Sequence, residues 1–141
     1  MGAPVGSLLV SSAANIARAR VLRKRHGAGW RQAGVLAAAC LYALEHHVER
    51  LADDHAAARA FAEAVGYQAP EAVEPDSVET NIVVVNTGAA PAAPIAAAAV
   101  DRGVRLSALG PRLIRAVTHL DVSKDDCERA GTILGNLLRR S

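Results

Sequence analysis

The sequence predicts a mixed α/β fold, and three observations carry that prediction. Residues 31–65 place Val35, Leu36, Ala39, Tyr42, Leu44, Val48, Leu51, Ala58, Phe61 and Val65 at helical spacing. Asn81-Ile82-Val83-Val84-Val85 is β-branched and short, which suits a buried strand. The segments after it read in the order helix, strand, strand, helix. A unit of that order covers one face of a small sheet with its helices.

Taken from the start, Leu8-Leu9-Val10 is a short apolar run before Ser11-Ser12, so a strand leading to a helix N-cap is expected. The first helix carries Ile16, Ala19 and Leu22 on one face and exits at Gly27-Ala28-Gly29. The apolar pattern over 31–65 is long for one globular helix, so a break is expected at residues 46–54, with Gly66 as the stop. Residues 67–80 contain Pro70, Pro75 and several acids without apolar periodicity, and read as a linker. That divides the chain into 1–66, the linker 67–80, and an α+β unit at 81–141.

Within the last unit, residues 91–102 suit a helix, with Pro94 tolerated in its first turn and Gly103 as its stop. Residues 104–109 and 113–117 are strand candidates joined by a turn at Gly110-Pro111-Arg112. Ser123 and Asp126 have capping-box spacing, and Cys127, Ala130, Ile133, Leu134 and Leu137 line one face of the final helix.

At 141 residues the chain is long enough for one domain with a real core, and 51% hydrophobic against 21% charged residues is a globular composition. A formal charge of +2 implies neither a nucleic-acid nor an acidic-membrane partner. The start lacks the basic region and apolar run of a signal peptide, and the longest apolar stretch, 33–44, is too short to span a bilayer. Cys40 and Cys127 lack C-x-x-C spacing and lie in helical patterns, so both are expected as buried free thiols, as in a soluble cytoplasmic protein.

The densest charge cluster is Arg18, Arg20, Arg23, Lys24 and Arg25, just before the glycine turn. Three readings suit it: a solvated helix face with cations at the C-terminus; an anion site in which glycine-turn amides, Lys24 and Arg31 approach a phosphate; or a nucleic-acid contact, disfavoured because Trp30 is the lone nearby stacking aromatic. His46 and His47 are adjacent and point about 100° apart on a helix, so they do not converge on a metal. His119 follows a strand, and a structural hydrogen bond to the next loop is its expected role. Ser7, Ser107 and Ser123 have no base near them in sequence, so no nucleophilic triad is indicated.

Beyond these local features, Gly2-Ala3-Pro4-Val5-Gly6-Ser7, Arg23-Lys24, and Gly27-x-Gly29-x-Arg31-Gln32-Ala33-Gly34 follow one another in order. Val104-Arg105-Leu106 and Ile114-Arg115-Ala116-Val117-Thr118-His119-Leu120-Asp121-Val122-Ser123 come later. Together they resemble the threonine aldolase family of pyridoxal-phosphate-dependent lyases, across essentially the whole chain. The resemblance implies the C-terminal portion of a fold-type I enzyme: the end of the large cofactor domain with connecting helices (1–66), then the small C-terminal domain (81–141).

It further implies an enzyme that cleaves threonine to glycine and acetaldehyde, working as a homo-oligomer with sites shared between subunits. Lys24 and Arg31 would reach the cofactor phosphate of a neighbouring subunit, and Arg115 would grip the substrate carboxylate. The family's first motif is preceded by Ser-Lys-Gly-Leu, whose lysine forms the Schiff base. Met1 stands in the leucine position, so that lysine, the aspartate partnering the pyridine nitrogen and the ring-stacking histidine would all lie upstream. The chain alone is then expected to be inactive, and the alternative is a non-catalytic binding or assembly module built on the same fold. Two departures from the family pattern concern the phosphate contact: Ala28 replaces the middle glycine, and Trp30 replaces a methionine.

Overall fold

The computed structural model describes residues 1–140, which fall into two compact units, Met1–Val48 and a second that begins at Glu49. The first unit holds two helices. Helix α1 (Ala13–Arg25) begins where the Ser12 hydroxyl accepts a hydrogen bond from the Asn15 amide. It ends with Arg23, Lys24 and Arg25 in its last turn, where cations favour the helix dipole. Helix α2 (Ala33–His46) buries only Ala43. Residues 8–10, expected as a strand, pair with no other segment; Leu8 and Val10 are 88% and 93% exposed. Without a partner strand to satisfy its backbone, a short apolar run has no reason to be a strand.

The second unit opens with α3 (Leu51–Gln68). The apolar stretch therefore breaks at His47–Arg50, inside the expected window, but continues past Gly66 to Gln68. Glycine does not stop this helix because Ala69 closes it, its amide donating to the Val65 carbonyl at 2.8 Å. Residues 67–80 carry two one-turn 3-10 helices, Pro70–Ala72 and Pro75–Ser77, each led by its proline. Asp76 reaches back to Arg59 of α3 at 2.5 Å.

Three strands follow: β1 (Ile82–Asn86), β2 (Ser107–Gly110) and β3 (Leu113–Val117). They form an antiparallel sheet in the order β1-β3-β2, so β3 is central. Helix α4 (Ala92–Val100) lies between β1 and β2 in sequence, and α5 (Lys124–Leu138) follows β3. The strand expected at 104–109 starts only at Ser107, because Val104 is used to close α4: its amide donates to the Ala99 carbonyl while Gly103, at φ 80°, donates to Val100. The expected capping box at α5 is present, with Ser123 and Asp126 bonding each other's backbone amides.

Burial alternates along the strands. Val83, Val85, Ile114 and Ala116 are buried under the helices, while Ile82, Val84, Asn86, Leu113 and Val117 are exposed on the other face. The core adds Ala57, Ala58, Phe61, Ala62 and Val65 of α3, Ile95 and Ala99 of α4, and Cys127, Leu134 and Leu137 of α5. Helices α3 and α5 approach so closely that a Cβ at Gly131 would sit 2.4 Å from the Phe61 carbonyl oxygen, and one at Gly135 2.6 Å from the Gln68 Cβ. Glycine one helical turn apart is what admits α3's alanine-rich surface. The end of β3 is tied to the first turn of α3 through the buried Thr118 hydroxyl, which donates to the Asp54 carbonyl at 2.6 Å. The buried Asp54 carboxylate is held by Arg50 at 2.9 Å.

Candidate substrate-carboxylate clamp

Arg115 stands at the middle of the central strand, opposite Val84 on one side and Ser107 on the other. Strand alternation puts it on the face that no helix covers, since its neighbours Ile114 and Ala116 are both buried on the helix side. Exposed Ile82, Val84, Leu113 and Val117 share that uncovered face.

The Arg115 Nε is buried and has no hydrogen-bond partner, the only buried side-chain polar atom in that condition among the described residues. A buried donor without an acceptor costs about 1–3 kcal/mol. A planar group with two parallel acceptors answers both the unmet Nε and the guanidinium fork, and a carboxylate is such a group.

Lys24 and Arg31 lie in the other unit, around the exit of α1. Gly27, at φ 81°, lets its amide bond the Lys24 carbonyl at 3.2 Å, and the Ala28 amide bonds the Arg23 carbonyl at 3.0 Å. This closure commits two of the amides that the sequence left open to a phosphate. Among the described residues no non-glycine residue has a positive φ, so Ala28 is unstrained in place of a glycine. The Lys24 side chain folds over Gly29, its Cγ lying 3.4 Å from where a Cβ would be. Lys24 and Arg31 are both exposed and, among the described residues, make no ion pair. Two of the turn's amides are thus taken, while the Lys24 and Arg31 side chains stay open to an anion.

Pyridoxal phosphate fits these residues in part. Two unpaired cations suit its phosphate, and an unpaired guanidinium suits the carboxylate of an amino acid. The chain's lysines are Lys24 and Lys124. Lys124 opens α5 on the surface, outside the sheet face that carries Arg115.

Other residues singled out from the sequence are structural. His46 and His47 pack against Tyr42 with ring centroids 4.3 and 5.5 Å away, and His47 Nδ1 lies 2.6 Å from the Met1 carbonyl oxygen. The loop after β3 is held by the His119 backbone carbonyl, which accepts from Val122 at 3.2 Å, in place of the imidazole contact expected there. Cys127 is buried, as expected, and its thiol is pushed up by burial and then by the Asp126 charge. Cys40, expected to be buried too, is only part-buried; its Sγ meets the Val5 carbonyl at 3.2 Å. Among the described residues no helix is long and apolar enough to cross a membrane.

The profile of the beta-eliminating lyases matches residues 1–88, more than half of the chain. The chain belongs to the beta-eliminating lyase family. It is 41% identical over 125 residues to the low specificity L-threonine aldolase of Escherichia coli K12, and 41% identical over 131 residues to a probable low-specificity L-threonine aldolase of Arabidopsis thaliana. These alignments take in 89% and 91% of the chain but only 36% and 37% of the relatives. The probable low-specificity L-threonine aldolase of Schizosaccharomyces pombe is 36% identical over an alignment that takes in 100% of the chain, and so extends beyond the profile through the strand that carries Arg115. The chain thus spans about a third of the length of these family members.

Proposed function

We propose that this chain supplies the substrate-carboxylate clamp and two phosphate contacts of a pyridoxal-phosphate-dependent threonine aldolase. One observation carries the reading: the buried, unbonded Nε of Arg115 on an uncovered, largely apolar sheet face. The threonine aldolases it is similar to in sequence supply the substrate class.

Arg115 would accept the threonine carboxylate in a two-pronged contact and so fix the amino acid's orientation. Val84, Leu113 and Val117 share that face and would offer apolar contact to the rest of the amino acid. Lys24 and Arg31 would neutralise a phosphate, with Lys24 acting as a point charge on a flexible stem and Arg31 as a planar donor set. When bound, the cofactor supplies the electron sink for breaking the Cα–Cβ bond of threonine, giving glycine and acetaldehyde. No lysine in these 141 residues is left for the cofactor's aldehyde once Lys24 is assigned to the phosphate, because Lys124 is exposed at the start of α5. The division into the end of a cofactor domain (1–66), a linker (67–80) and a small domain (81–141) belongs to the same proposal, as does a homo-oligomer that shares its sites between subunits.

The test is threonine cleavage by an enzyme in which this chain is fused behind a threonine aldolase cofactor domain. Arg115→Ala removes a hydrogen bond to a charged group worth about 1.5–3 kcal/mol, so kcat/KM should fall about 10- to 150-fold. Arg115→Lys should recover only part, because an ammonium cannot form the fork. Unchanged kcat/KM in Arg115→Ala would refute the clamp. For the isolated chain, a borohydride-fixed adduct of cofactor on Lys24 or Lys124 would refute its proposed inactivity.

A further inference from the structure

The second unit contains a cleft of about 620 Å³ that Arg115 does not line. It opens between the exit of α4 and the first half of α5, at the end of β3. Its volume lies within the range of small-molecule sites. The floor is apolar, made by Phe61 of α3, Leu106 and Val104 before β2, and Ala130 and Ile133 of α5. Of the residues placed in the clamp and the phosphate contacts, Val117 alone also lines it.

The rim is charged and unevenly satisfied. Arg102 and Arg105 flank Gly103 and Val104, whose amides are locked onto Val100 and Ala99 by the closure of α4. Both arginines are exposed, and among the described residues neither guanidinium makes a hydrogen bond or an ion pair. Opposite them on α5, Arg129 is already paired with Asp126, which also accepts from Ser123. Asp121, in no ion pair among the described residues, completes the charged lining. The rim thus carries three arginines against two aspartates, an excess of one positive charge. The Cys127 thiol beside them is held neutral by burial and by Asp126, and adds no charge of its own.

We propose that this cleft binds a small organic monocarboxylate with an aromatic or branched apolar body. The free guanidinium pair takes the carboxylate, and the apolar floor takes the body. An inorganic dianion suits the cleft less well, since it leaves the floor unused and adds a second negative charge near Asp121. The inference does not depend on the aldolase reading, because Arg115, Lys24 and Arg31 do not line the cleft.

The experiment is an amide-NMR titration of the full chain with 3-phenylpropionate, run beside 3-phenyl-1-propanol and inorganic phosphate. Saturable shifts at Leu106, Ala130 and Ile133 are expected with the carboxylate, and weaker ones with either control. The double variant Arg102→Gln/Arg105→Gln alters exposed side chains and should keep its melting temperature while its affinity falls at least about tenfold, as expected for losing a charge-assisted bond. The proposal is overturned by any of three results: no saturation, equal affinity for either control, or affinity that survives the double variant.

Discussion

The two compact units are made from the same kinds of helix but differ in what holds them. In Met1–Val48, α1 has a serine N-cap, basic residues in its last turn and a glycine closure, yet buries no residue. Helix α2 is apolar nearly all round and buries only Ala43. In the unit that begins at Glu49, α3 and α5 bury seven and five residues respectively, against each other and the sheet. Caps and propensity set where a helix begins and ends, but isolated helices of about 12–15 residues are marginal in water. Burial is what makes a helix stable, so the second unit should carry most of the cooperative unfolding.

The largest effect should come from the core of the second unit. Leu134 is fully buried, and Leu134→Ala should cost about 2–5 kcal/mol in urea denaturation. Leu9→Ala, at a side chain 65% exposed, should stay within about 0.5 kcal/mol. Equal losses from the two substitutions would abolish the contrast between the units.

Next in size is the close helix crossing. Gly131→Ala would place a methyl 2.4 Å from the Phe61 carbonyl oxygen and 2.8 Å from the Ala64 Cβ. The backbone oxygen cannot rotate away, so α3 and α5 must separate, at a cost of about 1–3 kcal/mol. Gly34→Ala in α2 meets nothing within 4 Å and should stabilise its helix by about 1 kcal/mol or less. A stabilised Gly131→Ala would show that the two helices have room to spare.

The smallest effect concerns the cap of α5. Ser123→Ala removes the acceptor of the Asp126 amide and should cost about 0.5–2 kcal/mol. The same cap gives a pH signature. The Ser123 hydroxyl, then the Ser123 amide and Arg129, hold the Asp126 carboxyl below the usual carboxylate range. A depressed folded value means the contribution is complete above the unfolded carboxylate pKa of about 3.9, and disappears as pH falls through the lower folded value. Wild type minus Ser123→Ala stability, followed down through that window, should shrink with falling pH. A difference constant with pH would mean the carboxylate takes no part in the cap.

Much of the fold was legible because local chemistry dictated it. Ser123 with Asp126 marked the α5 cap, Gly103 the end of α4, and Gly110-Pro111-Arg112 the β2–β3 turn. Where local signals misled, tertiary partners were the missing information. Leu8-Leu9-Val10 has strand composition but no strand beside it, Gly66 sits inside a helix that Ala69 closes, and Val104 went to a helix closure in place of a strand. For the candidate clamp, the sequence motif singled out Arg115, but nothing in it could say that Nε would be buried without a partner. That condition depends on β3 being central, with Val84 and Ser107 pressed in from separate strands.

The cleft beside Arg102 and Arg105 shows the same limit, since its lining comes from α3, the α4 exit, β3 and α5, four segments distant in sequence. By itself the sequence determined the residue types, the period of each element and the placing of caps and turns, all of which act over a few neighbouring residues. Only the tertiary structure decided which side chains lose water and which charges are left unpaired, because solvent exposure and partner distance are properties of segments brought together by folding.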